Sequence, residues 1–284
     1  MKNFQNHEKN QKELRRLLSN KYENVWPLPE WMLSKQEGED LRGESSLAVV
    51  EIAGKDSIAA AVVEGISGRF SAMLPTVAYT GTQYGDWEAP FRAVAELGKR
   101  LPSSVRLYPP LVVGSPELWR ELCGKGLYRW QQRYGFASPC TACHLYFHLI
   151  RISLARHLGS SVIIGGERNS HDGRVKLSQV AVSLDIFRDF LARYGVELLL
   201  PLRNMQDTRD VDALLGGSYP QGSDQLRCVL SGNYVDEEGE VPFREEAVRA
   251  FLEEYAIPRG AAWLRERFSL IPRSGSTPAG PPGS

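Results

Sequence analysis

Two short stretches carry the residue types that do chemistry in this chain. The first is Cys140-Thr141-Ala142-Cys143, joined 85 residues later by Cys228. A C-x-x-C turn at the start of a helix holds two thiolates within reach of one metal and lowers their pKa. Three cysteines suit three irons of a cubane cluster, which leaves the fourth iron to a non-protein ligand. Zinc is the alternative, with Cys123 or His144 as fourth ligand, and a redox pair or plain buried thiols are the others. Cys123 sits in an apolar helical pattern with Leu118, Trp119 and Leu122 and reads as core. His144 and His148 form an i,i+4 pair that could ligate a metal, although histidines satisfied within a helix are commoner.

The second stretch is the turn Ala53-Gly54-Lys55-Asp56-Ser57, set between the apolar run 47–52 and a helix-forming run over residues 57–65. A strand that enters a helix through a glycine turn gathers backbone N–H groups and the positive helix end at one spot, which makes an anion site. Gly54 permits close approach, Ser57 donates from the helix start and Lys55 adds positive charge. Asp56 fits a phosphate only through a bridging Mg²⁺. The segment is not a Walker A loop, because the second glycine and the Gly-Lys-Ser/Thr ending are missing.

A related turn follows in "IIGGERNSHDGR" (163–174), where a strand leaves through Gly165-Gly166 into Glu167, Arg168, His171, Asp172 and Arg174. Arg168, Arg174 and Lys176 are candidates for neutralising pyrophosphate, a task of positioning and electrostatics. Glu167 and Asp172 are second-metal or base candidates, and Lys55, Asp56 and Asp172 make the candidate catalytic set. Lys125, Arg129 and Arg133 recur at four-residue spacing among Tyr128, Trp130, Tyr134 and Phe136. On one helix this is a basic stripe with stacking faces, suited to RNA or a nucleobase, or a helix with one solvated and one core face.

The elements that must position these residues are legible as apolar runs at 47–52, 73–82, 104–113, 160–166 and 196–202, separated by helical patterns. Strands alternating with helices imply an α/β fold with a mainly parallel, Rossmann-like sheet covered on both faces and ligands at the strands' carboxyl ends. Residues 1–45 read as a helical segment and linker, 46–202 as the main domain, and 203–272 as a small helical extension carrying Cys228. Residues 273–284 are a Pro/Gly/Ser tail expected to be disordered. Thirty-four basic and thirty-four acidic residues give a formal net charge of zero, so no global charge advertises nucleic acid. No apolar stretch approaches the ~20 residues of a membrane span, and the polar N-terminus lacks a signal core. A cytoplasmic chain is expected, in which four cysteines favour metal, cluster or catalysis over disulfides.

"IAGKDS" (52–57) resembles the Ser-Gly-Gly-x-Asp-Ser loop of the PP-loop ATP pyrophosphatase superfamily. Gly54, Asp56 and Ser57 match, while Ile52 and Ala53 replace the first Ser and the first Gly. Those enzymes adenylate a carbonyl or similar oxygen with ATP, release pyrophosphate and let a nucleophile displace AMP. The resemblance implies that Ala53, Gly54, Lys55, Asp56 and Ser57 hold the phosphates of ATP with Mg²⁺. It implies that Tyr79, Thr80 or Gly81 lines the adenine pocket and that Gly165, Gly166, Glu167 and Arg168 help hold nucleotide and metal. Residues 198–215 resemble the late strand, Pro-Leu and Asp-rich helix of several such enzymes. A PP-loop, then C-x-x-C, then a distant Cys resembles the order in tRNA 2-thiocytidine synthetase-type Fe–S sulfurtransferases. That implies a 4Fe-4S cluster on Cys140, Cys143 and Cys228. The expected function is an ATP-dependent sulfurtransferase with a tRNA base or a small molecule as acceptor, a sulfur donor as partner and a homodimeric assembly. The alternatives are a zinc-containing amide- or nitrile-forming ligase using ammonia, and an adenine-nucleotide-binding protein without turnover.

Overall fold

Residues 47–52 contain one charge, Glu51, in an otherwise apolar run, which suits a strand covered on both faces. They form β1 (Leu47–Ile52), buried at every position, at the centre of the sheet. The computed structural model describes residues 2–136, 139–217, 219, 225–231 and 235–269, with side chains from residue 11 to residue 267. The tail expected over 273–284 lies outside these residues. Two helices precede β1: α1 (Lys2–Asn20) and α2 (Lys35–Arg42), the latter started by a Ser34/Glu37 capping box.

After β1 the chain forms α3 (Lys55–Ile66), β2 (Ala72–Ala78), the short β3 (Gln83–Tyr84) and α4 (Ala89–Gly98). The run 104–113 is split by Pro109-Pro110 into β4 (Arg106–Leu107) and β5 (Leu111–Val113), and both halves pair with β2. Proline lacks the N–H a ladder needs, so an edge strand is where this break is tolerated. Next come α5 (Pro116–Trp119), a π turn over Arg120–Gly124, α6 (Leu127–Tyr134), α7 (Cys140–His157) and β6 (Val162–Ile164). Then follow α8 (Ala181–Ala192), β7 (Glu197–Leu199), α9 (Thr208–Leu214), β8 (Arg227–Cys228), α10 (Glu245–Phe251) and α11 (Ile257–Ser269).

The main sheet is parallel throughout. β1 pairs with β2 from Leu47↔Ala72 to Ile52↔Val77, and on its other side with β6 at Val49↔Ile163. β6 continues to β7. The strand order therefore reverses at β1, which is followed on one side by β2 and on the other by β6. Crevices for ligands open outside the carboxyl ends at such a reversal. The α/β class and parallel sheet are those expected from the sequence.

Side chains alternate along β1. Val50 and Ile52 join the core under α3 and α4, whereas Leu47 and Val49 join the core that includes α7 and α8 residues. Burying each such aliphatic side chain contributes roughly 1.5–3 kcal/mol. Glu51 lies on the α7 side, the only charge β1 carries into either core. The described elements after residue 203 pack on the main sheet and its helices. α9 packs on α3, α10 on α8 and α11 on α7, while β8 pairs antiparallel with β3 as Gln83↔Cys228. Among the described residues no helix is long and apolar enough to cross a membrane.

Candidate active site at the carboxyl edge of the sheet

The β1–α3 turn is closed by its own residues. Ser57 Oγ accepts from the amides of Ala53 (3.0 Å) and Gly54 (3.2 Å) and donates to the Gly54 carbonyl (2.6 Å). The expected hydroxyl donor is thus spent on the turn, and the first-turn amides left without a helical acceptor are those of Lys55, Asp56 and Ser57. Gly54 is extended (φ 172°), so its conformation does not demand glycine; a Cβ there would instead meet the Gln225 side chain at 2.8 Å. Lys55 Nζ pairs with Asp212 of α9 at 2.8 Å.

The turn after β6 is pressed against this one. A Cβ on Gly166 would lie 2.4 Å from the Ser57 amide nitrogen, a backbone atom that cannot yield. A Cβ on Gly165 would lie 2.3 Å from Glu167 Oε2, so the preceding glycine makes room for that carboxylate. The structure therefore brings Gly54–Ser57 and Gly165–Arg168 together across the strand-order reversal.

Arg168, 2% exposed, ties the loops together. Its Nε donates to Asp56 Oδ2 at 3.3 Å, Nη1 to the carbonyls of Met205 and Gln206, and Nη2 to Thr208 Oγ1 and His171 Nδ1. His171 is pushed down to about 4, by burial first and then by nearby Lys176, so it is neutral at pH 7. It accepts from Arg168 at Nδ1 and donates from Nε2 to Gln179 Oε1 at 2.7 Å. Asp172 has a local task. In a left-handed conformation (φ 56°), it accepts from the Thr208 amide and hydroxyl at 2.6 Å each and so fixes the start of α9. Those bonds hold its carboxyl below the usual range.

On the other face of β1, α7 carries a buried ionic column. His148 Nδ1 meets Glu51 Oε1 at 2.9 Å, and His148 Nε2 lies 3.7 Å from Glu167 Oε1. His144, one turn earlier, meets the same Glu167 oxygen through Nδ1 at 3.3 Å. One turn later, Arg151 lies 3.4 Å from Glu51 and donates to Thr76 Oγ1 (2.6 Å), the Thr76 carbonyl (3.1 Å) and the Phe147 carbonyl (2.6 Å). Burial alone would lower His148 and raise Glu167. The facing charges win: Glu51 and Glu167 hold His148 above the usual histidine range, and His148 and His144 hold Glu167 at about 2.

The four cysteines lie in the neighbourhood of the α7 N-terminus, with Cys123 and Cys143 in contact and Cys140 and Cys228 near enough to act on Cys123 by charge. Cys123 is fully buried in the π turn and hydrogen-bonded with Cys143. Burial pushes its thiol well up, reinforced by Cys143 and by the nearby Cys140 and Cys228. The indole Nε1 of Trp119 donates to Cys143 Sγ at 3.2 Å. The Leu230 amide donates to Cys228 Sγ at 3.4 Å, and Thr82 Oγ1 lies at the same distance from it. Cys140 Sγ faces the Leu230 carbonyl at 3.9 Å. Hydrogen-bond donors aimed at sulfur suit metal-bound thiolates. Cys228 reaches this place only through the β3–β8 ribbon, for which no sequence pattern speaks.

Other expected residues land differently. Tyr79 is 1% exposed, with its hydroxyl buried without a partner, so its ring belongs to the core rather than to an open pocket wall. The basic stripe is broken: α6 starts only at Leu127, Lys125 pairs with Glu121, and Arg133 pairs with Glu254 at 2.6 Å. Trp130, Tyr134 and Phe136 face Phe251 of α10, and Tyr128 remains exposed. Of the aromatic side chains in that segment, the core takes three. Sequence reasoning also missed Glu51 and Arg151. A lone glutamate in a central buried strand was the available signal for Glu51. Among the described residues, the donor group whose atoms all lie within 4.8 Å of one another is Glu51, His148 and Glu167 rather than the cysteines.

No family model matches the chain. It is 35% identical over 229 residues to the uncharacterized protein MJ0009 of Methanocaldococcus jannaschii, covering 78% of this chain and 81% of that protein. Among solved structures, NMN synthetase from Francisella tularensis aligns with 84% of this chain and 98% of its own, at 12% identity and a TM-score of 0.36. A likeness that distant carries no chemistry.

Proposed function

The chain belongs to the same family as MJ0009 of Methanocaldococcus jannaschii, and we propose that it is an ATP-using enzyme of PP-loop type that adenylates an acceptor oxygen and releases pyrophosphate. The observation that carries this reading is the meeting of the two glycine turns at the strand-order reversal, where Gly166 leaves no room for a Cβ against the start of α3. The Lys55 and Asp56 amides and the positive end of α3 receive the phosphates. Lys55 exchanges Asp212 for phosphate, and Asp56, oriented by Arg168, is the group that would hold Mg²⁺. When bound, that ion neutralises charge between the phosphates. An acceptor carbonyl oxygen attacks the α-phosphorus, pyrophosphate leaves, and the activated carbon is open to a nucleophile that expels AMP.

The nucleophile in this reading is sulfur, and the acceptor is a tRNA base or a small molecule. Cys140, Cys143 and Cys228 would hold a 4Fe-4S cluster, which supplies an open iron for sulfur when bound. Trp119, Thr82 and the Leu230 amide orient the sulfurs. A second reading is favoured by Cys123, whose contact with Cys143 offers a fourth sulfur. Four thiolates would close a zinc set, and the chemistry becomes amide or nitrile formation with ammonia.

The test is anaerobic purification of the full chain, an absorption spectrum with metal analysis, and calorimetric titration with ATP and Mg²⁺. A brown protein whose colour is lost in Cys143→Ser supports the sulfur reading, and colourless protein with one zinc moves it to the second. Absence of ATP binding, with the fold intact, ends both.

A further inference from the structure

The column on α7 contains an unexplained gap. Glu51, His148 and Glu167 are 6%, 0% and 5% exposed. His148 Nδ1 is held by Glu51 at 2.9 Å, which leaves Nε2 as the ring atom an ion can take in exchange for its proton. Nε2 faces Glu167 Oε1 at 3.7 Å, and neither His148 Nε2 nor Glu167 Oε2 has a hydrogen-bond partner. Two buried ligand atoms thus stand side by side without a hydrogen bond between them. The separation exceeds the ~3.2 Å of an N–H···O bond. It matches two ligands of one ion, since donors ~2.1 Å from a tetrahedral metal stand about 3.4 Å apart.

We propose that His148 Nε2 and the Glu167 carboxylate bind a divalent transition-metal ion, at a site separate from the cysteines. Glu51 is the orienting carboxylate: it fixes the His148 tautomer through Nδ1–H, while Arg151, 3.4 Å away, balances its charge. His144, 3.3 Å from the same Glu167 oxygen and on the more exposed side, stands where a third ligand enters. Gly165 belongs to the site, because any side chain there would displace Glu167 Oε2. Imidazole and carboxylate together suit Zn²⁺, Fe²⁺, Co²⁺ or Mn²⁺ rather than a soft monovalent ion.

The probe is Co²⁺, titrated into chelator-stripped, full-length protein and followed by ligand-field absorption and metal analysis. The expected result is one Co²⁺ per chain without thiolate charge-transfer bands in the Cys140→Ser/Cys143→Ser/Cys228→Ser variant. That signal should vanish in Glu167→Gln and in His148→Gln and weaken about 10- to 100-fold in Glu51→Gln. Should the glutamine variants unfold, the melting temperature decides: Co²⁺ should raise it in the triple-serine variant and leave it unchanged once Glu51→Gln is added at low Co²⁺. Retention of Co²⁺ by both Glu167→Gln and His148→Gln overturns the proposal. So does a folded triple-serine variant that binds none, in which case a protonated His148 holds the two glutamates.

Discussion

Two polar structures flank β1 at its carboxyl end, and they are built in opposite ways. On the α3 side, residues 53–57 close their own turn with uncharged groups: one hydroxyl, Ser57 Oγ, makes three local hydrogen bonds and leaves the first-turn amides of the helix open to a ligand. On the α7 side, Glu51, His148, Arg151 and Glu167 come from three distant segments and bury charge that only their mutual contact compensates. A local turn folds whether or not its ligand is present. A buried ionic column exists only once the whole sheet and α7 have met, because an uncompensated charge in that core is costly.

The largest expected effect breaks the α7 side. Arg151→Met removes the donors to the Thr76 side chain and carbonyl and leaves Glu51 with His148 alone to balance its charge, and should cost about 3–5 kcal/mol in urea denaturation. An unchanged midpoint would mean that the column is not charge-compensated as described. The pH dependence probes the same contrast. Glu167 is depressed from 4.5 to about 2, so its contribution is present above 4.5 and is lost as pH falls toward 2. Denaturation midpoints of the wild type should fall through that window, and Glu167→Gln should flatten this part of the profile. An identical slope in both would remove Glu167 from the explanation.

The next effect falls where the two sides meet. Gly166→Ala forces a Cβ onto the Ser57 amide and should cost ~1–3 kcal/mol, together with most of the ATP affinity measured by calorimetry. A variant that binds ATP normally would show that the α3 start can retreat. Ser57→Ala removes the cap alone, about 1 kcal/mol, and should leave Co²⁺ binding on the α7 side untouched. The smallest change in stability is expected for Lys55→Ala. Its pair with Asp212 is partly exposed and worth under ~1 kcal/mol, yet ATP affinity should drop about tenfold. Equal losses in stability and affinity would make Lys55 a structural residue.

Much of this architecture is legible in the sequence where the signal is local. The run 47–52, its glycine turn and the following helix need only residues adjacent in the chain, as do the break at Pro109-Pro110 and the exit through Gly165-Gly166. The expectation for 125–133 fails because helical spacing alone cannot see Gly126, whose left-handed backbone (φ 99°) starts α6 anew. Tyr79 reads as a pocket residue at a strand end, but the ring turns into the core under α3.

The sequence by itself determined the parallel α/β frame, because hydrophobic period and turn chemistry are properties of neighbouring residues. It also determined which two turns face the carboxyl edge. The tertiary structure alone decided that Gly166 abuts Ser57, that Cys123 joins three cysteines up to 105 positions away, and that Glu51 meets α7. Those contacts depend on strand order and on which face each side chain takes, and both are fixed only when distant segments bury one another.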